Sequence, residues 1–567
     1  MSTRETGVQE WRDIDWPKVE DDVHTLQRRI YRASQREDVK VVHRLQRLLM
    51  SSWSAKCLAI RRVTQDNQGK KTPGVDGVAS LGPEERLLLI ENLSLDAKPQ
   101  PTRRVWIPKP GTDEKRPLGI PTMYDRALQA LVKLALEPEW EARFEPNSYG
   151  FRPGRSCHDA VEAIFNGIKQ CPKYVLDADI AKCFDCINHE ALLNKLQTFS
   201  PLRRVVNAWL KAGVLDGGTL FPTEQGTPQG GVISPLLANV ALHGLETAIV
   251  TAFPGDKRLG TKTVAWKPMV VRYADDFVVM HRDLGVIREC QAIAQKWLRG
   301  MGLELKPSKT RIAHTLQEMG ENVGFDFLGF TIRQFPAGKY RSGRYSTGKP
   351  VGFKTIIKPS KKKVILHQER LAEVVRHMRN ATQEALIKTL NPIIKGWCNY
   401  YRTVVSAKTF TKVDAVLHHL LIRWAKRRHP RKGLRWIVSK YWHDPVWTFG
   451  TKDGQTLRRH SKTKIVRHVK VKGEKSPFDG DWKYWASRQS YYPGVSPWLA
   501  LLLKRQHGKC LYCGLLFMPD DLLEVHHVHH GPDKKTFTLE ALHRHCHDKV
   551  HVPKEAFNPE ESIHDKN

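Results

Sequence analysis

Two carboxylates stand side by side in VVRYADDFVVM (270–280), where Asp275 and Asp276 interrupt two runs of strand-forming residues. A strand, a tight turn and a second strand hold such carboxylates rigidly at a hairpin tip, a geometry suited to a hard divalent cation such as Mg2+. Asp is also an ordinary turn residue, so the pair alone leaves the choice open. A second stretch, YVLDADIAKCFDCINHE (174–190), puts Asp177 and Asp179 directly after another strand-like run. Two strands bringing carboxylates to one place suit two-metal phosphoryl transfer, in which ions roughly 3.5–4 Å apart activate an attacking oxygen and stabilise the leaving one.

A second group of ligand-type residues lies near the C-terminus. KCLYCG (509–514) and HRHC (543–546) supply Cys510, Cys513, His543 and Cys546, whose types and spacing fit a closed tetrahedral zinc site. A unit this short has little core, so a structural ion there supplies much of its folding energy. EVHHV (524–528) lies between the two knuckles, and CHDKVH places His547 and His551 four apart on one helical face, where they can share a metal.

Positioning these groups takes several units, since 567 residues predict about three or more domains. The N-terminal part shows amphipathic helices, with Val23, Leu26 and Ile30 and then Val42, Leu45, Leu48 and Leu49 on apolar faces, and turn-rich loops such as KKTPGVDG (70–77). Between about 100 and 335, β-branched runs (Tyr174–Leu176, Val270–Arg272, Phe277–Met280) alternate with helical windows, an α+β pattern. PAGKYRSGRYSTGKPVG (336–352) reads as a basic loop or hairpin between domains. Helices dominate from about 353 to 445, among them DAVLHHLLIRWAKRR (414–428) with Val416, Leu417, Leu420, Leu421 and Trp424 on one face. Residues 451–476 are strongly basic with little apolar content.

The charge of +33, from 92 Lys and Arg against 59 Asp and Glu, exceeds what solubility needs and points to a nucleic-acid partner. Residues 423–475 concentrate it, with 17 Lys and Arg against three acids. Trp424, Trp436, Tyr441, Trp442 and Trp447 interleave with these cations, the mixture that neutralises phosphates and stacks on unpaired bases. No uncharged run reaches about 18 residues and the N-terminus carries no apolar core segment. The reading is a soluble, cytoplasmic protein without a membrane partner, its ten scattered cysteines reduced outside the C-terminal cluster.

YADD and DADIAKCFD resemble the signature motifs of reverse transcriptases. The resemblance implies that Asp179, Asp275 and Asp276 hold two Mg2+ ions while a primer 3′-OH attacks the α-phosphate of a dNTP. It implies that Phe184 tests the sugar, occupying the space a 2′-OH needs. In QGTPQGGVISPLLANV (225–240), Gly226, Gly230 and Gly231 surround Pro228 and Gln229, and glycine permits close backbone approach to a nucleotide. RRVWIPKPGTDEKRPLGIPT (103–122) supplies Lys109 and Arg116, which resemble triphosphate-holding residues. LKPSKTRI (305–312) offers Lys309 as the acid for departing pyrophosphate, and FDFLGF (325–330) looks like a primer grip.

NSYGFRPGRSCHDAV (147–161), TPGVDG (72–77), LNPIIKGWCNYYR (390–402) and LIRWAKRRHPRKGLRWIVSKYW (421–442) resemble proteins encoded inside group II introns. That resemblance implies a right-hand polymerase of fingers and palm (1–340), a helical thumb or maturase domain (341–450), a basic DNA-binding segment (451–495) and a ββα-metal, or HNH, nuclease unit (496–567). In the last, His527 matches the general base and His526, His547 and His551 match ligands of the nuclease ion. Thr538 stands where the family's middle Asn is expected. The implied partners are the encoding intron RNA, as a lariat ribonucleoprotein, and target DNA, whose nicking supplies a primer. Rival readings are a splicing-only maturase with an inactive nuclease, a nuclease whose polymerase-like region is scaffold, and a defence-associated reverse transcriptase.

Overall fold

The computed structural model describes residues 10–67, 71–108, 111, 114–259, 262–319, 323–443, 448–489, 495–519, 521–530 and 536–551. Its N-terminal helices begin where the sequence supplies side-chain caps. The Asp15 carboxylate accepts from the Lys18 N–H ahead of helix Trp16–Gln35, and that of Asp38 accepts from Val41 ahead of Val39–Ser51. Val23, Ile30, Val42, Leu45 and Leu49 are buried, whereas Leu48 stays half exposed. These helices, with Trp53–Arg61, pack on the buried helix Met123–Glu141.

The central sheet has four antiparallel strands in the order Arg311–His314, Tyr174–Asp179, Asp276–His281, Met269–Tyr273. Val175, Leu176, Val270, Val271, Phe277, Val278, Val279 and Met280 are all fully buried. Sequestration on both faces explains why these strands read as continuous apolar runs rather than alternating ones. A second sheet, in the order Lys115–Ile120, Thr102–Pro108, Val214–Asp216, Thr219–Phe221, projects the 103–122 motif beside the first.

Strands Phe325–Phe327, Phe330–Pro336 and Phe353–Pro359 form a third sheet. The basic stretch 336–352 is the loop of its second hairpin, so the expected boundary at 340/341 falls inside that loop. Phe325, Phe327 and Phe330 share one core with the helices Lys361–His377, Gln383–Tyr401, Ala407–Arg428 and Leu434–Tyr441, each Phe contributing about 1.5–3 kcal/mol on burial. Phe330 stacks on Tyr400 with ring centroids 5.2 Å apart, and the Tyr400 and Tyr401 hydroxyls donate to the Leu328 and Gly329 carbonyls. Leu417, Leu421 and Trp424 are buried on helix Ala407–Arg428 as the periodicity predicts, with Val416 and Leu420 half-buried at the margin.

The expected stacking role of the basic region's aromatics is corrected here. Trp424, Tyr441 and Trp442 are under 10% exposed at 4%, 7% and 6% and fill the helical core, because rings of this size on the inner helix faces contribute most as packing. Trp436 alone among the described members of that set is exposed, with the Lys432 and Lys440 ammonium groups over its ring. Trp447 lies outside the described residues.

Residues 451–476 run in largely irregular conformation and are strapped to the body by several acids, Asp414 and Asp159 taking the most bonds. The Asp414 carboxylate accepts from the backbone N–H groups of His460 and Ser461, and the Asp159 carboxylate takes His468, Val471 and Arg488. Beyond them, hairpin Leu523–His530/Thr536–His543 and helix Arg544–Val550 give a ββα unit with its own small core of Leu502, Leu503, Phe517, Ala541 and Leu542. The Lys549 Nζ donates to the Ile14 carbonyl, seating this unit on the N-terminal helices.

Candidate catalytic and metal centres

The central sheet's register brings the predicted carboxylates together. Asp179 is paired with Asp276 across the antiparallel strands, which sets their Cα atoms about 4.5–5.5 Å apart. Asp275 is the adjacent turn residue, and its carbonyl accepts from the Ile180 N–H at 3.4 Å. Burial, then the neighbouring Asp275 and Asp179 charges, push Asp276 up to about 7. Burial likewise raises Asp275. The Lys309 Nζ lies 2.5 Å from an Asp179 oxygen and is held protonated by that hydrogen bond. Asp276 hydrogen-bonds Asp179, and the Asp179 charge is felt at Asp275, so these carboxylates with the Lys309 ammonium make an oxygen-rich donor set of the kind that takes divalent ions.

The turn bearing the aspartates is held by groups the sequence reading did not single out. Ala274 adopts a left-handed conformation with φ of 57°, a strained choice for a residue with a Cβ. Arg272, 1% exposed, donates through Nη1 to the Asn239 Oδ1 at 3.1 Å and the Ala274 carbonyl at 3.3 Å, and Asn239 Nδ2 donates to the Gly150 carbonyl at 2.8 Å. A Cβ on Gly150 would come 2.3 Å from the Ala274 nitrogen, so NSYGFRPG lies directly against the catalytic turn. Its Arg152 is locked by two hydrogen bonds to Glu141, at 2.7 and 2.9 Å. The signal for Arg272 was present: a charged residue inside an otherwise apolar strand.

The described residues expected to face a nucleotide are tied to one another. Phe184 is half-buried, edge-on to Phe151 with centroids 6.1 Å apart. Gly226, at φ of 86°, leaves no room for a side chain, because its Cβ would meet the Phe184 and Asp185 carbonyl oxygens at 2.6 Å. The Gln229 carbonyl accepts from the Gly119 N–H at 2.6 Å, while its side-chain amide donates to Asp185 at 3.3 Å. This loop therefore clips the Phe184 turn to the strand Lys115–Ile120, whose exposed Arg116 acts on Asp275 through its charge. Lys109 lies outside the described residues.

In the ββα unit, ligand atoms of Cys510, Cys513, His543 and Cys546 lie within 4.8 Å of one another. The His543 Nε2 is 3.2 Å from Asp521 Oδ2, and this turns Nδ1 toward the Cys513 sulfur at 3.3 Å, the outer-carboxylate arrangement of a histidine metal ligand. Hydrogen bonds from Cys513 and Cys546 favour the Cys510 thiolate. The donor set fits a closed zinc site.

His526, His547 and His551 form a second cluster within 4.8 Å. Burial lowers the pKa of His526, keeping it in the neutral, ligating form. His527 is not brought to this cluster. As the next residue on an extended strand it points to the opposite face, where it is exposed against the Phe537 ring with centroids 5.2 Å apart. Thr538 sits across the hairpin from Val528.

Comparisons with known proteins match three segments of the chain to families. Residues 107–332 match the family described as reverse transcriptase (RNA-dependent DNA polymerase), 11–93 the N-terminal domain of reverse transcriptase, and 366–442 the maturase-specific domain of group II introns. Protein YkfC of Escherichia coli (strain K12) is 35% identical over 327 residues, covering 51% of this chain and 83% of that protein. The group II intron-encoded protein LtrA of Lactococcus lactis subsp. cremoris is 29% identical over 411 residues, covering 59% and 66%. The chain belongs to the group II intron-encoded reverse transcriptase family. The chain carries reverse transcriptase and maturase domains, and none of its described helices is long and apolar enough to cross a membrane. The chain of an apo telomerase from Candida Tropicalis overlaps it slightly, with a TM-score of 0.30, 14% identity and coverage of 41% and 53%.

Proposed function

We propose that this group II intron-encoded protein copies its intron RNA into DNA, assists splicing of that RNA, and uses its C-terminal unit on target DNA, in the cytosol or an organelle matrix. The observation carrying the polymerase reading is the pairing of Asp179 with Asp276 beside Asp275. The parts divide as fingers and palm over 1–340, thumb or maturase over 341–450, basic DNA-binding segment over 451–495 and nuclease unit over 496–567.

Asp179, Asp275 and Asp276 are the residues for two Mg2+ ions. When bound, such ions activate the primer 3′-OH and stabilise the triphosphate charge. Arg116 and Lys109 hold the triphosphate, Gln229 and Phe184 border the incoming sugar and base, and Phe184 excludes a 2′-OH. Lys309 hands a proton to pyrophosphate as it leaves, from a site already against the carboxylates. Cys510, Cys513, His543 and Cys546 hold a structural zinc, and His526, His547 and His551 the nuclease ion, with His527 as base for the attacking water. Nicked DNA then offers its 3′-OH to the polymerase site.

The opposite-face placement of His527 favours a second reading of the C-terminal unit, one that grips DNA without cutting it. Two assays separate the claims. Primer extension on an RNA template should vanish with Asp275→Asn and persist with His526→Ala. Nicking of supercoiled DNA should require His526 and His527 if the unit cuts, and should be undetectable in wild type if it only binds.

A further inference from the structure

The loop 337–352 carries four cations, Lys339, Arg341, Arg344 and Lys349, and no acid. All four are exposed. Tyr340 is 92% exposed and Tyr345 43%, with the Lys339 ammonium over the Tyr340 ring at 6.0 Å. Such rings gain nothing from the core. The loop is nonetheless braced: Ala337 N–H donates to the Gly352 carbonyl, Gly343 to Phe353, Val351 to Gly343 and Tyr345 to Lys349, all within 3.0 Å, and Arg344 Nη1 closes on the Gly348 carbonyl at 2.8 Å. A braced loop that displays rings between cations has already met much of the ordering cost of binding.

Its position separates it from the polymerase site. The strand leading into the loop is tied through the Gln334 N–H to the Thr315 carbonyl, and the Thr315 N–H donates to the Lys173 carbonyl. Lys173 precedes the strand Tyr174–Asp179, whose other end carries Asp179, roughly 17 Å away at about 3.3 Å per residue. Lys169 adjoins the same surface, its carbonyl 4.0 Å from where a Gly343 Cβ would sit. The geometry points to a second RNA-binding surface, remote from the catalytic carboxylates, on which Tyr340 and Tyr345 stack on unpaired bases of a loop or bulge while the flanking cations meet its phosphates. Single-stranded elements are the RNA features that expose bases for stacking. This inference rests on the RNA-binding part of the proposed function.

The test uses the 567-residue chain with a labelled RNA stem-loop, a blunt RNA duplex of equal length and single-stranded DNA of the stem-loop sequence. Tyr340→Ala/Tyr345→Ala should weaken stem-loop binding roughly 5- to 100-fold, leave the duplex and DNA probes within about twofold, and leave primer extension on oligo(dT)-primed poly(rA) unchanged. Tyr→Phe at both positions should restore binding, since stacking needs the ring alone. Lys339→Gln/Arg341→Gln/Arg344→Gln/Lys349→Gln should reduce the salt slope of RNA binding by roughly 3. Undiminished stem-loop binding by the double Ala variant, an equal loss on the duplex or DNA, or a parallel loss of primer extension overturns the assignment. If wild type binds neither RNA probe, the RNA-binding reading itself fails and takes this surface with it.

Discussion

Among single residues, the groups that aim the carboxylates matter as much as the carboxylates themselves. Arg272→Met removes a buried guanidinium that holds both Ala274 and Asn239, so nucleotide incorporation should fall by about 10- to 100-fold, with a higher Mg2+ requirement and a smaller change in dNTP KM. Steady-state incorporation across a Mg2+ series reads this directly, and an unchanged Mg2+ optimum would count against a positioning role. A second residue reports through pH. Burial raises Glu246 to about 7 from its ordinary 4.5, although Asn147 donates to it. Its contribution is fully present below 4.5 and lost as pH rises through about 7. Glu246→Gln should therefore flatten the fall in Tm over that window. The clustering of the aspartates and of the cysteine–histidine set was legible from the sequence because the motifs that carry them are short. The Arg272–Asn239 brace was not legible, because the two residues stand 33 positions apart in the chain.

At the scale of elements, the apolar runs identified the central strands, but only tertiary pairing supplies the register that sets Asp179 against Asp276. The aromatics of the basic region show the converse limit: composition gave cations and rings together, and the helical fold sorted most of those rings inward. The strap of residues 459–471 was unreadable for the same reason, its anchors Asp159 and Asp414 lying in distant helices. Asp159 is held well below the usual carboxylate range against a burial penalty, by His468 and Arg488. Its contribution is thus present above the ordinary Asp pKa and disappears as pH falls. Asp159→Asn should destabilise the protein by about 3–5 kcal/mol in urea unfolding, since it leaves Arg488 buried with its charge uncompensated; a change under about 1 kcal/mol would show that the strap does not depend on it.

For the molecule as a whole, a polymerase body and a small ββα unit meet at the N-terminal helices, where Lys549 reaches the Ile14 carbonyl and His545 comes 3.7 Å from the buried Glu20. Zinc is expected to hold the small unit's fold and not the body's. A zinc chelator should raise hydrogen exchange across residues 523–550 while leaving primer extension in Mg2+ intact. Protection that survives demonstrated zinc loss would remove zinc from the account. Acids from two separate strands are expected to grip two ions together at the growing DNA end. Crystals grown with Mn2+, a primer–template and a non-hydrolysable dNTP test it most directly by anomalous diffraction. Two peaks roughly 3.5–4 Å apart, both bounded by Asp179 and Asp275, are expected; an ordered primer terminus with no anomalous peak between those carboxylates would rule the two-ion site out.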